Sequence, residues 1–309
     1  MDVLLQQIIN GLILGSVYSM VALGYTMVYG ILQLINFAHG EVLMFGAMVA
    51  LSIISFLELV FPGIPGYLLL FFALITAIPA CAFLAATIER IAYRPLRKAP
   101  RLAPLITAIG ISIVLQTIAM IIWSPNPKAF PDLLPINTIK FFNAFISPKQ
   151  ILIILTATFS MIILMFFVLK TNFGRAMRAV SENPEMASLM GISVNKVISI
   201  TFMIGATLAA IAGVLVALNY NYVHFTMGFI LGLKAFTAAV LGGIGNLAGA
   251  VLGGLLLGLI ESLGGGYLGD LTGGFLGSHY QDVLSFIVLI IVLIIRPSGI
   301  LGERVSDRS

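Results

Sequence analysis

Asn36, His39 and Glu41 fall within six consecutive positions of "LQLINFAHGEVL", a stretch that is otherwise mostly apolar. An imidazole beside a carboxylate can pass protons, and ionisable groups placed in oil usually face a bundle interior or a pathway. Phe37 and Gly40 complete this first candidate set. A second set is Gly242, Gly243, Gly245 and Asn246. It interrupts the apolar run "GLKAFTAAVLGGIGNLAGAVLGGLLLGLIESL", in which Lys234 and Glu261 are the flanking charges. Two glycine-interrupted apolar segments, one in each half of a chain, point to a transport path built from discontinuous helices. A third set belongs to the most polar long stretch, "KTNFGRAMRAVSENPEMASLMGISVNKV", which covers residues 170–197. There Ser181 or Asn183 can cap a short helix, Pro184 suits its first turn, and Gly191 ends it. Ala187, Leu189 and Met190 give that helix an apolar side, as docking in a partner's groove or lying on a membrane surface requires.

Other chemistries find no support in the sequence. There is no G-x-x-x-x-G-K-[ST], so any ATP is expected to be used by partner chains. Gly243, Gly245 and Ala248 fit G-x-G-x-x-A, but within an apolar run rather than after a strand. His224 and His279 lack the neighbouring Cys, Asp or Glu of a metal site and read as ordinary residues near outer helix ends. The single cysteine, Cys81, excludes a disulfide framework and reads as a small core residue. No nucleophile–base set stands out. The expectation is a protein that is not an enzyme and binds neither a metal nor a cofactor of its own.

The elements that must position these residues are set by composition. The chain is 60% hydrophobic and 9% charged, against about 25% charged in soluble domains. Several apolar runs approach the roughly 20 residues that cross about 30 Å of hydrocarbon. The fold class is therefore an all-α polytopic membrane protein, a single domain over residues 1–309 with about eight or nine transmembrane helices. Candidate spans are 6–30, 40–61, 67–88, 103–123, 150–169, 198–218, 228–244, 247–264 and 281–295. With 31 glycines, close helix packing is expected, through pairs such as Gly11–Gly15, Gly249–Gly253 and Gly254–Gly258. Asp2 is the only charge near the start, so the first helix is not expected to be a cleaved signal.

Basic residues then orient the spans. They concentrate in "ERIAYRPLRKAPR" (Arg90, Arg94, Arg97, Lys98, Arg101), in 170–197 (Lys170, Arg175, Arg178, Lys196) and in the tail (Arg296, Arg304, Arg308). Positive loops stay in the cytoplasm, so all three face in, and the net charge of +4 reports topology rather than nucleic-acid binding. Two spans separate the first two loops and four separate the second from the tail, a consistent parity. Residues 124–149 then lie outside, and the five prolines of that segment exclude a regular helix. Met1 is outside if 6–30 and 40–61 both cross, and inside if one of them crosses only in part.

Between those two runs there is almost no polar loop. The economical reading is a broken helix near residues 31–40, at membrane depth, where irregular backbone is tolerated only if protein or a wet cavity surrounds it. Gly30 and Gly40 are expected to relax the backbone there, and Asn36 to cap the following helix. The alternative is a short interfacial turn whose His39 and Glu41 reach headgroup water.

Together, "GYTMVYGILQLINFAHGEVLMFGA", "ERIAYRPLR", "GRAMRAVSENPEMASLMGI" and "KAFTAAVLGGIGNLAGAVLGGLLLG" resemble the permease subunits of branched-chain amino acid ABC importers, the LivH type. The likeness runs in order from about residue 10 to 302. It implies a multi-pass permease of the bacterial inner membrane with a cytoplasmic C-terminus. It also implies four further proteins: a second homologous permease subunit completing a heterodimer, two cytoplasmic ATPase subunits, and a periplasmic substrate-binding protein received partly by 124–149. The resemblance makes 170–197 the loop that couples to the ATPase, with Arg178, Ser181, Glu182, Pro184, Glu185, Ala187 and Gly191 in it. The family's Glu-Ala-Ala start is Glu-Met-Ala here. It makes Asn36, Phe37, His39, Gly40 and Glu41, with Gly242, Gly243, Gly245 and Asn246, the candidate pathway residues. His39 and Glu41 either line that path or pair with each other to hold the helix end. Urea and short-amide permeases look like close relatives by the same resemblance. A secondary transporter working without an ATPase is the reading from another class, favoured by the His and Glu and opposed by the docking-type loop.

Overall fold

The computed structural model describes residues 2–97, 99–100, 102–135, 137–141, 144–273, 275 and 280–302. Met1, Lys98, Arg101, His279, Arg304 and Arg308 lie outside the described residues. The helices are α1 (Asp2–Leu32), α2 (His39–Val60), α3 (Gly66–Ile88, continued by a π-helical turn, Glu89–Tyr93), α4 (Leu102–Trp123), α5 (Pro148–Lys170), α6 (Asn172–Glu182), α7 (Pro184–Leu189), α8 (Val194–Tyr220), α9 (Met227–Gly242), α10 (Leu247–Leu271) and α11 (Gln281–Ile295). Four short strands among the described residues join them: β1 (Lys128–Ala129), β2 (Ile139–Phe141), β3 (Ala144–Ile146) and β4 (Tyr222–Val223). Among the described residues, seven helical stretches are long and apolar enough to cross a membrane, while α9 and α11 are shorter apolar helices. The chain is an all-α polytopic membrane protein, and the nine apolar helices among the described residues, seven of them of spanning length, fall where the nine spans were expected.

Local signals explain where the helices start and stop. Ser147 and Gln150 form a reciprocal capping box around Pro148, which opens α5. The Thr171 side chain accepts from the Gly174 amide and starts α6. α8 ends at Asn221 in the left-handed region (φ +59°), a common helix terminus.

Contacts between connecting segments define two ends of the bundle. At one, the strand end, β1 pairs with β4, Gln6 hydrogen-bonds the Phe145 backbone, and the Lys149 ammonium reaches Asn221. At the other, the loop end, Arg97 donates to Asn195, and the Ile300 and Leu301 amides donate to the Leu241 and Gly242 carbonyls. A cavity there is shared by the C-terminal part of α1, α6 and Gly245. The described start of α1 is thus at the strand end, together with the proline-rich segment.

Between α1 and α2 the chain breaks where expected, and the break is recessed. Gln33–Ala38 is non-helical or turn. His39 then opens α2 against Gly24, where an added Cβ would lie 2.3 Å from His39 Nε2. Gly24 precedes the end of α1 by eight residues, roughly 12 Å along the axis at 1.5 Å per residue. α2 therefore begins well inside the bundle and runs to the strand end, where Trp123 Nε1 donates to Ser52. α9 runs back alongside the break: Gly40 packs on Gly228 and Gly232, and Phe37 on Phe236 at 5.6 Å.

Two local expectations are corrected. The left-handed residue at the break is Gln33 (φ +52°), and Gly40 is needed for close approach to α9, while nothing lies within 4 Å of a Cβ at Gly30. Asn36 does not cap α2: its N-cap is Ala38, without a side-chain bond, because the Asn36 oxygen is taken by Tyr93. The glycine pairs behave as expected. An added Cβ at Gly15 would lie 2.7 Å from Leu255 Cα, and one at Gly258 would lie 2.2 Å from the Gly15 nitrogen, so α1 and α10 cross with backbones nearly touching.

Candidate functional site

The segment 36–41 forms a buried polar island. Asn36, His39 and Glu41 are 5%, 3% and 0% exposed. Asn36 Oδ1 accepts from the Tyr93 hydroxyl at 2.7 Å, so the π-helical turn of α3 holds the break. Glu41 Oε1 accepts from Ser112 at 2.9 Å and from Gln116 at 2.7 Å, two residues one turn apart on α4. The His39 ring meets Tyr25 edge-on at 4.9 Å. His39 and Glu41, two positions apart on a helix, point in different directions, and Glu41 takes its partners from α4. Glu41 Oε2 and His39 Nε2 are buried with no hydrogen-bond partner among the described residues. Leaving such an atom unpaired costs about 1–3 kcal/mol, so the island is suited to an arrangement in which these atoms meet something else.

The second candidate set lies elsewhere. Gly242–Asn246 is the turn between α9 and α10 at the loop end, with Gly243 and Gly245 at φ +106° and +97°. A Cβ at Gly243 would lie 2.4 Å from the Gly302 nitrogen, and the Asn246 amide donates to the Leu301 carbonyl. The interruption near 242–249 therefore seats the tail. Ile35 of the break and Ile244 of this turn line one small crevice together.

A second polar cluster sits between α1, α9, α10 and α11. Lys234 Nζ lies 2.6 Å from Glu261 Oε1 and 2.8 Å from Asp282 Oδ1, and Glu261 Oε2 accepts from Tyr18 at 2.9 Å. A third joins the loop end: Glu89, fully buried, pairs with Arg94 at 2.8 Å and with Arg97, and accepts from Ser199 at 2.6 Å. The Glu89 hydrogen bond raises the Arg94 guanidinium, whereas burial, ahead of the attraction to Glu89, lowers that of Arg97. Among the described residues no group of His, Cys, Asp and Glu is arranged to hold a metal ion.

α6 and α7 stand on the loop end. Asn183, one of the two expected caps, accepts from the Met186 amide at 3.0 Å; Pro184 follows it, and Gly191 (φ +83°) ends the turn. Ser181 is instead inside α6, donating to the Arg178 carbonyl, and Arg178 donates to the Val168 carbonyl of α5. Ala187 is buried and fixes α7 to the body, whereas Met186, Leu189 and Met190 are 57%, 80% and 80% exposed beside Glu182 and Glu185.

Residues 7–293 match the family model described as branched-chain amino acid transport system / permease component. The chain belongs to this permease family. It is 46% identical over 304 residues to the high-affinity branched-chain amino acid transport system permease protein BraD of Pseudomonas aeruginosa, covering 97% of this chain and 96% of the relative. Identity to the protein of the same description named LivH in Escherichia coli K12 is 45% over the same shares. A probable branched-chain amino acid transport permease protein LivH of Methanocaldococcus jannaschii is 30% identical, over 95% and 91%. The family is a transport permease rather than an enzyme.

Several polar residues of the permease were not singled out from sequence. Ser112 and Gln116 carry a signal, an i, i+4 polar pair within an apolar span. Lys234 and Glu261 entered only as flanking charges, although opposite charges in two adjacent spans are grounds for naming a partner. Tyr18 and Asp282 had no signal of their own.

Proposed function

We propose that the permease is the transmembrane subunit of an ATP-driven importer of branched-chain amino acids. It forms half of the translocation path beside a second, homologous permease subunit and docks an ATPase through α6 and α7. The observation that carries the docking is the α7 surface. Met186, Leu189 and Met190 stand exposed on a capped, firmly seated short helix, and such a patch rimmed by acidic side chains suits a groove in a partner. The relatives' names supply the solute class. The described basic residues Arg90, Arg94, Arg97, Lys170, Arg175, Arg178, Lys196 and Arg296 outnumber Lys128, Lys140 and Lys149 of the opposite end. The loop end and the C-terminus are therefore cytoplasmic. The strand end then faces the periplasm and receives the substrate-binding protein. ATP is bound and hydrolysed by two partner subunits.

In this proposal the 36–41 island belongs to the moving wall of the path. A recessed helix start with two unpaired buried polar atoms is closed in one conformation and paired to solute or water in another. The test is mild-detergent affinity purification from native membranes with mass spectrometry. Near-equal amounts of an ATPase and a second hydrophobic permease are expected. A chain that purifies alone or as a homo-oligomer, where other membrane complexes survive, overturns the importer reading.

A further inference from the structure

A cavity of about 390 Å³ opens between α1, α8, α9, α10 and α11 in the strand-end half of the bundle, within the roughly 300–1,000 Å³ of ligand pockets. Its lining is mixed. Lys234 and Glu261 are its charged groups, Tyr18, Tyr220, His224 and Gln281 are among its other polar side chains, and Val216, Ile230 and Leu231 are aliphatic. Residues 227, 230, 231 and 234 recur at helical spacing, so a single face of α9 lines the cavity and changes from apolar to cationic along its length. The change takes about one helical turn, roughly 5.4 Å.

From this we infer that the cavity is a subsite for the zwitterion of a branched aliphatic α-amino acid, its charged end at Lys234 and Glu261 and its side chain along Ile230 and Leu231. The inference rests on the importer reading above and names where that solute touches this subunit. Lys234 supplies a donor for a carboxylate, and Glu261 an acceptor for an ammonium. The cluster holds one ammonium and two carboxylates, Asp282 being the more exposed of the two at 42%. Asp282 does not line the cavity, so a solute carboxylate can meet Lys234 from the cavity side while Asp282 stays in place, and the solute ammonium meets Glu261. Tyr18, also in the lining, donates to the other Glu261 oxygen, so the acceptor is fixed before the solute arrives. A neutral polar solute such as urea has no use for an aliphatic wall.

The test is uptake of radiolabelled L-leucine by the complete importer, with its binding protein, in proteoliposomes. The variant is the double substitution Lys234→Met with Glu261→Gln. Removing both charges together avoids leaving one buried and unpaired, a change that buried ion pairs often tolerate. Uptake is expected to fall about ten-fold or more while the partner subunits still copurify at parental stoichiometry. Uptake within about two-fold of the parent would overturn the subsite and leave a structural ion pair. Should the double variant not assemble, Leu231→Trp decides, because it fills the aliphatic part without touching a charge: a similar loss supports the subsite, and parental uptake overturns it. Failure of the importer reading is distinct, since the parent complex itself would then show no ATP-dependent leucine uptake.

Discussion

Adding one methyl group at Gly40 tests the junction that places the 36–41 island. A Cβ there would lie 2.3 Å from the Gly228 carbonyl oxygen and 2.9 Å from Gly232 Cα, where ordinary contacts begin at 3.4 Å. The opposing atoms are helix backbone and cannot turn aside, so α2 and α9 must part by about 1 Å. Overpacking of this kind costs about 1–3 kcal/mol. The same displacement strains the neighbouring contact of Phe37 with Phe236. Gly30→Ala is the matched control: it lies within α1 with no heavy atom near the new Cβ, and alanine favours the helix by about 1 kcal/mol. The two substitutions should therefore move stability in opposite directions. Thermal melts of the detergent-solubilised complex, followed by size-exclusion chromatography, read this directly. Gly40→Ala should melt lower than the parent, and Gly30→Ala at or above it. A Gly40→Ala complex as stable as the parent, or a Gly30→Ala complex less stable than Gly40→Ala, would refute the close α2–α9 contact.

Three further outcomes are expected. Glu41→Gln keeps an acceptor for Ser112 and Gln116, so the complex should assemble while ATP-driven uptake falls; loss of assembly in copurification would give Glu41 a structural role instead. Met186→Glu with Leu189→Glu changes side chains that touch little of the permease itself, so the chain should fold yet lose the ATPase subunits in a pull-down, and retention of them would refute α7 docking. Tyr93→Phe removes the donor to the buried Asn36 oxygen at a cost of about 1–3 kcal/mol, seen as a lower melt and faster amide exchange over 33–38, whereas unchanged exchange would place the hold on the break elsewhere.

Much of this architecture is legible in the sequence because the bilayer imposes it. Runs of about 20 apolar residues and basic loops of consistent parity place the helices and predict which loops share an end. The cap and stop around 183–191 are local chemistry, so Asn183, Pro184 and Gly191 could be read in place. The break at 33–38 was legible because "LQLINFAHGE" is too apolar for an exposed loop and too interrupted for a helix. Partner choice was not legible. Asn36 has the composition of a cap, but Tyr93, 57 residues away, claims its oxygen. Glu41 lies two residues from His39 in sequence, but helix geometry sends it to α4. Gly242–Asn246 resembles the break in composition and differs in depth, which depends on how α9 and α10 stack and how the tail returns to them. The Lys234, Glu261 and Asp282 cluster needs three helices brought together, a tertiary fact that no local pattern contains.

The most direct measurement is solute uptake by proteoliposomes containing the permease, its partner permease and the ATPase subunits, with the binding protein outside. Saturable L-leucine uptake is expected, dependent on ATP, competed by isoleucine and valine and indifferent to urea. Leucine entry without ATP or without the ATPase subunits, or entry displaced by urea, would contradict an ATP-driven branched-chain amino acid importer.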